Sequence, residues 1–107
     1  MLNGSDMYKK VPERPKTVRS VSIGGIVISK RGRDKSRPFI IVGMDEGFLY
    51  LADGALRKLT KPKRKKIMHV QITESISVEI AERLEAASLN DADLRKVLLR
   101  FGKNGEV

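Results

Sequence analysis

The stretch "GGIVISKRGRDKSRPFIIVGM", Gly24 to Met44, decides how the chain is read. Its two ends are apolar and its middle is ionic. In "SIGGIVISK", Ile26 and Ile28 fall on one side and Val27 and Ser29 on the other, the period-two alternation of a half-buried strand. Gly24 and Gly25 at its start signal a bulge or a close backbone approach. "FIIVGM" is a second short β-rich run, bounded in front by Pro38. Between the two, "KRGRDKSR" (Lys30 to Arg37) is a polar loop with Gly32 as its turn residue, five cations and one acid.

Outward toward the C-terminus the strand signals continue. Asp45-Glu46-Gly47 is a three-residue connector whose Gly47 can take positive φ, and "FLYLA" comes next as a third strand. Asp53-Gly54 is the strongest short hairpin signal in the chain and leads into "ALRKL". "IMHVQIT" then places Met68, Val70 and Ile72 on one face, with His69 and Gln71 on the other. Short strands at close spacing, joined by tight glycine turns, predict a small β-barrel, which leaves no sheet edge exposed.

After Thr73 the period becomes helical. "SVEIAERLEAASL" repeats Val78, Ile80, Ala81, Leu84, Ala87 and Ser88 at helical spacing, with Ser77 as N-cap. "NDADLRKVLLRFG" predicts a second helix, capped by Asn90 and stopped by Gly102, with Leu94, Val97, Leu98 and Phe101 as its apolar stripe. The expected fold class is mainly β with α: a barrel over 21–73, then a helical hairpin over 74–107. Residues 1–20, with Pro12, Pro15 and scattered charge, read as a flexible basic arm.

The chain's 107 residues suit one domain with a small core. Aromatics are only 5%, with no Trp, so that core must come mainly from Ile, Val and Leu. The absence of cysteine removes disulfide frameworks and Cys-based zinc sites, and is compatible with a reducing cytoplasm. No apolar run of about 18 residues is present, and no apolar core succeeds the N-terminal cations, so a soluble, cytoplasmic protein is expected, with no membrane partner. Net charge is +9, unevenly spread. Met1 to Val70 holds 17 basic and 6 acidic residues, +11, whereas Gln71 to Val107 holds 5 and 7, −2. A basic body with a near-neutral tail is the footprint of a polyanion binder.

A second cationic run sharpens that inference. "RKLTKPKRKK", Arg57 to Lys66, has seven basic residues in ten and no acid. Such a run repels itself unless an anion lies nearby, and Pro62 holds part of it extended. Strands expected on both sides tether it as a displayed loop. Phe48 and Tyr50 alternate on the third strand, and core packing is the expected role for both rings rather than stacking on unpaired bases. His69, without neighbouring acids or Cys, makes a poor metal site and reads as an exposed strand residue beside the basic loop. Asp45, Glu46 and Asp53 are ordinary turn acids. No nucleophile has a visible base, and no phosphate-loop signature is present, so neither an enzyme nor a cofactor is expected.

The residues "GGIVISKRGRDKSRPFIIVGM" resemble the KOW motif, a strand ending in a glycine-containing basic loop that leads to a second strand. The fuller run "GRDKSRPFIIVG…LYLADGALRKLTKPKRKKIMHVQIT" is similar to the bacterial KOW-domain RNA-binding proteins related to a class of archaeal and eukaryotic large-subunit ribosomal proteins. The resemblance covers roughly Val21 to Thr73, and "AERLEAASLNDADLRKVLLRF" resembles the helical tail of such proteins. It implies an SH3-like barrel and binding to RNA, often ribosomal RNA, with ribosomal proteins as neighbours. Position by position, it implies a KOW loop of Lys30, Gly32, Arg33, Asp34, Lys35 and Arg37, to which Arg31 adds its charge. The second basic segment is Arg57, Lys58, Lys61, Lys63, Arg64, Lys65 and Lys66. Many relatives have Gly where this chain has Ser36.

The expectation is therefore an RNA-binding protein whose two basic loops form one cationic surface. Little polar variety beyond Lys and Arg stands there, so backbone and shape should be read more than base identity. The alternative from another class is a protein-interaction adaptor of the translation or transcription machinery.

Overall fold

A computed structural model of the chain describes residues 21–104, so the expected basic arm over residues 1–20 lies outside the described residues. Along the chain come β1 (Gly25–Ser29), β2 (Pro38–Asp45), β3 (Phe48–Ala52), β4 (Lys63–Lys66) and β5 (Val70–Ile76). Two helices come after them, α1 (Val78–Glu85) and α2 (Asp91–Asn104). The strands make one antiparallel sheet in the order β4-β3-β2-β1-β5, so the chain is mainly β with α.

Strand parity sorts the apolar residues onto two faces. Val27, Phe39, Ile41, Leu49, Leu51 and Val70 form one buried cluster, to which Ile67 and Ile72 pack. Ile26, Ile40 and Ala52 point the other way and pack with Ile80 of α1 and Leu94, Val97 and Phe101 of α2. Burial of each such large side chain contributes roughly 1.5–3 kcal/mol. Among the described residues none of α1 or α2 belongs to the first cluster; Val21 and Ile23 pack against it, and the sheet curls over that face. Lys65 on β4 shows the curl directly. Its Nζ donates to Ser29 Oγ on β1 at 2.7 Å, although three strand spacings separate these strands along the sheet. In a flat sheet the gap would be about 14 Å, longer than a lysine side chain. The two outermost strands, β4 and β5, share no ladder among the described residues, so the expected closure without edges is not reached.

The glycine signals hold where the chain bends. Against β5 the register of β1 slips between Gly25 and Val27, and Gly24 sits at φ +92°. Gly47 takes φ +72° in the β2–β3 turn, which is shorter than expected because Asp45 already pairs with Phe48. Both helix caps form. Ser77 Oγ accepts the Ile80 N–H at 3.3 Å. Asn90 Oδ1 accepts the Asp93 N–H at 3.0 Å while Asp93 Oδ2 accepts the Asn90 N–H at 3.1 Å, a reciprocal box.

Further details differ from the sequence reading. Asp53-Gly54 does not turn straight into a strand. Asp53 Oδ1 accepts the N–H groups of Ala55 at 2.9 Å and Arg57 at 2.8 Å, closing a side-chain-stabilised loop, so "ALRKL" is loop and pairing with β3 resumes at Lys63. Met68 is 69% exposed and does not share a face with Val70, because Ile67–His69 forms a 3-10 turn that breaks the alternation. His69 thus lies in a turn, not a strand. β5 continues to Ile76, three residues past the expected change of period at Thr73, and Val78 is exposed rather than part of the α1 stripe. Finally, α2 runs through Gly102 to Asn104. A helical glycine costs only about 1 kcal/mol relative to alanine, too little to end a helix by itself.

Candidate nucleic-acid interface

The two basic segments meet, and the residues that join them are acids. The β1–β2 loop contains a 3-10 turn over Gly32–Asp34 that aims the Asp34 carboxylate inward, where it is buried. Arg57 Nη2 of the β3–β4 loop donates to Asp34 Oδ2 at 3.2 Å. The reciprocal pair links Arg37 Nη2 to Asp53 Oδ2 at 3.6 Å. Each loop thus gives one acid and one arginine to the other. A third tie runs from Lys65 Nζ to the Arg31 carbonyl at 2.9 Å. Partly exposed pairs of this kind contribute only about 0–1 kcal/mol each, so their main effect is to fix where the loops sit.

The helices anchor the second loop from behind. Asp91 Oδ1, at the start of α2, accepts the Leu59 N–H at 2.7 Å, and Arg95 Nη1 donates to the Gly54 carbonyl at 2.6 Å. A basic loop that would otherwise repel itself is held at both ends of its course.

What remains outside the clamp is cationic. Lys30, Arg31, Arg33 and Lys35 from the first loop are exposed, as are Lys58, Lys61, Arg64 and Lys66 from the second segment. Of these, only Arg64 engages an aromatic ring among the described residues. Gly32 is exposed at φ +79°, where a side chain would be strained. Lys63 and Lys65 differ from their neighbours. They pair with Leu51 and Leu49, so their stems lie on the inner face and only half of the charge on β4 projects from the outer one. Partial burial lowers the Lys65 pKa, with Lys63 and Arg57 adding to the fall and Asp34 opposing it. Arg57, Arg37 and Lys65 are therefore engaged internally, Lys63 shares the inner face with Lys65, and the eight remaining cations are exposed.

Ser36 holds φ +73°, in the left-handed region that a residue with a Cβ occupies at a cost of about 1–2 kcal/mol. Its N–H donates to the Ser29 carbonyl at 2.7 Å, which keeps the turn tight. Replacing Ser36 with Gly removes the strain but gives the unfolded chain more freedom, a loss of roughly 0.5–1 kcal/mol. The expected net gain is about 0.5–1 kcal/mol, seen as a rise of a few degrees in the midpoint of thermal melting; a fall would show that Ser36 makes a stabilising contact of its own.

The aromatic pair is not in the core. Leu49 and Leu51 take the inner face of β3, which leaves Phe48 and Tyr50 on the outer face, both half-buried. Their partners across the ladder are Lys66 and Arg64. The Arg64 guanidinium stacks over the Phe48 ring with its Cζ 3.5 Å from the centroid. Sequence reasoning missed this pairing, and it missed Asp53 as a clamp; only the register between β3 and β4, set across the loop over 53–62, would have revealed the first. Among the described residues no group of three His, Asp or Glu could hold a metal ion, and no helix is long and apolar enough to cross a membrane. No protein-family model matches the chain, and a search of curated proteins finds no match either.

Proposed function

We propose that the chain is an RNA-binding module of the KOW type, its curled sheet an SH3-like barrel, which grips the phosphate backbone of structured RNA through the two clamped basic segments. The observation that carries this reading is the clamp itself. Two reciprocal ion pairs, Asp34–Arg57 and Arg37–Asp53, use the loops' acids against each other and leave eight exposed cations around them. An arrangement that concentrates like charge on an ordered scaffold raises its own energy unless a polyanion neutralises it, releasing condensed counterions as it does. Ribosomal RNA is the substrate class the motif resemblance favours, the cytoplasm is the compartment, and ribosomal proteins are the natural neighbours; no catalysis and no cofactor enter. The test is the affinity for a folded ribosomal RNA fragment as a function of salt. A steep fall with rising salt is expected, and an affinity indifferent to salt would overturn the reading.

His69 supplies a second, independent readout. Partial removal from water, and then the surrounding cations Arg31, Lys66, Lys65 and Lys30, hold its imidazole below the ordinary histidine pKa. The free protein therefore carries His69 neutral near pH 7. Phosphates on the same surface would favour the protonated ring, so binding raises the proton affinity of His69. Affinity for RNA is expected to rise as pH falls through the bound-state pKa and to level off below the free-state one. His69→Gln should flatten that rise, and a pH dependence unchanged by the substitution would place the RNA away from this edge.

One observation favours an adaptor as a second reading. An open groove of about 270 Å³ lies between the start of β2 and α2, lined by Arg37, Pro38, Asp53, Arg95, Leu98 and Leu99. Association that survives nuclease treatment would support a protein partner there.

A further inference from the structure

We infer that the outer face of β3 and β4 is a stacking subsite for an unpaired nucleobase, built from Phe48, Tyr50 and the Arg64 guanidinium, with Lys66 placed for the adjoining phosphate. The inference rests on the RNA-binding reading and adds what that reading lacks, a surface that recognises a base rather than a backbone.

Four residues converge there from two strands. The register sets Tyr50 opposite Arg64 and Phe48 opposite Lys66, so two aromatic rings and two cations share one face. The helix-facing cluster takes in Ala52 from this side of β3 and includes neither ring. Gly43 is the neighbour of Tyr50 on β2, and a Cβ there would come within 3.3 Å of the Tyr50 ring. The missing side chain leaves room for that ring to sit close against β2. Phe48 and Arg64 already form one tier of a stack, and Arg64 is exposed, so a planar group can add to the guanidinium as the next tier. Guanidinium planes and aromatic rings are what single-stranded loops and bulges stack upon, while a paired base offers no open face. The charge of Arg64, Lys66 and the neighbouring basic loops suits an anionic nucleotide and repels a cationic guest.

The experiment compares two hairpin RNAs of one stem, one with an ordinary unpaired loop and one whose loop sugars lack bases. Stacking predicts that the full chain prefers the ordinary loop by roughly ten- to a hundredfold. Arg64→Lys, which keeps the charge and loses the plane, and Phe48→Leu should each erase most of the preference without changing the salt slope. Phe48→Tyr should retain it. The sequence contains two tyrosines, Tyr8 and Tyr50, and no Trp, so in a Tyr8→Phe background Tyr50 fluorescence reports the contact directly. It should be quenched by the ordinary loop and not by the abasic one. Equal, salt-sensitive affinity for the two hairpins, with no difference in quenching, would sink the stacking subsite and leave the phosphate surface standing. Failure to bind either hairpin, or any folded RNA, would remove both.

Discussion

Gly24→Ala is expected to lower the midpoint of thermal melting by about 15–30 °C. Gly24 stands where β1 meets the start of α1. Its N–H donates to the Ile41 carbonyl at 2.8 Å, and its own carbonyl accepts the Ser77 N–H at 2.8 Å. A Cβ at this position would press into the Ser77 carbonyl oxygen, with the Ser77 carbonyl carbon only 3.3 Å away. Those are backbone atoms and cannot rotate aside. The φ of +92° adds a conformational penalty of about 1–2 kcal/mol. Relief requires shifting the N-cap of α1, which loosens Ile80 in the core, and the combined cost should reach about 3–5 kcal/mol. Gly47→Ala is the control. It shares a positive φ, +72°, but nothing lies within 4 Å of the added methyl, so about 1 kcal/mol is expected. Comparable melting of the two variants by circular dichroism would show that the contact with Ser77 yields without cost.

Changing Lys30, Arg33, Lys35 and Lys58 together to Gln is expected to weaken binding to a folded ribosomal RNA fragment roughly a thousandfold near 0.1 M salt, with little change in stability. The four are exposed and have no ion-pair partner among the described residues, so the fold does not depend on them. Each lost phosphate contact should flatten the log–log salt dependence by about 0.7–0.9, and four contacts by about 3. Lys65 supplies the contrast. Its ammonium is committed to Ser29 Oγ and the Arg31 carbonyl, so Lys65→Met should act mainly on the loop clamp and on melting. If the quadruple variant keeps the wild-type slope while Lys65→Met loses it, the division between clamp and contact residues is reversed.

Much of this architecture was legible in the sequence because local chemistry specified it. The alternation in "GIVIS", the turn at Gly47 and the caps at Ser77 and Asn90 each need only neighbouring residues to be recognised. The misreadings share the opposite cause. "FLYLA" is apolar at every position, so its period cannot say whether the leucines or the aromatic rings face inward; the register to β2 and β4 decides. "KRKK" carries no strand signal of its own and becomes β4 because β3 offers a ladder and because Lys63 and Lys65 can lay their stems over Leu51 and Leu49. Of the candidate site, the cations could be named from composition. The clamp could not, since Arg57 and Asp34 stand 23 positions apart in the chain and only the curl of the sheet brings them together.

An outermost strand made wholly of Lys and Arg has a consequence for the protein as a population. Among the described residues its outer edge pairs with no strand and could template growth by further copies, yet stacking two such strands about 4.8 Å apart would set four positive charges against four. Molecules of this chain therefore hold one another off along β4, and a variant stripped of charge there would trade that self-avoidance for a tendency to aggregate.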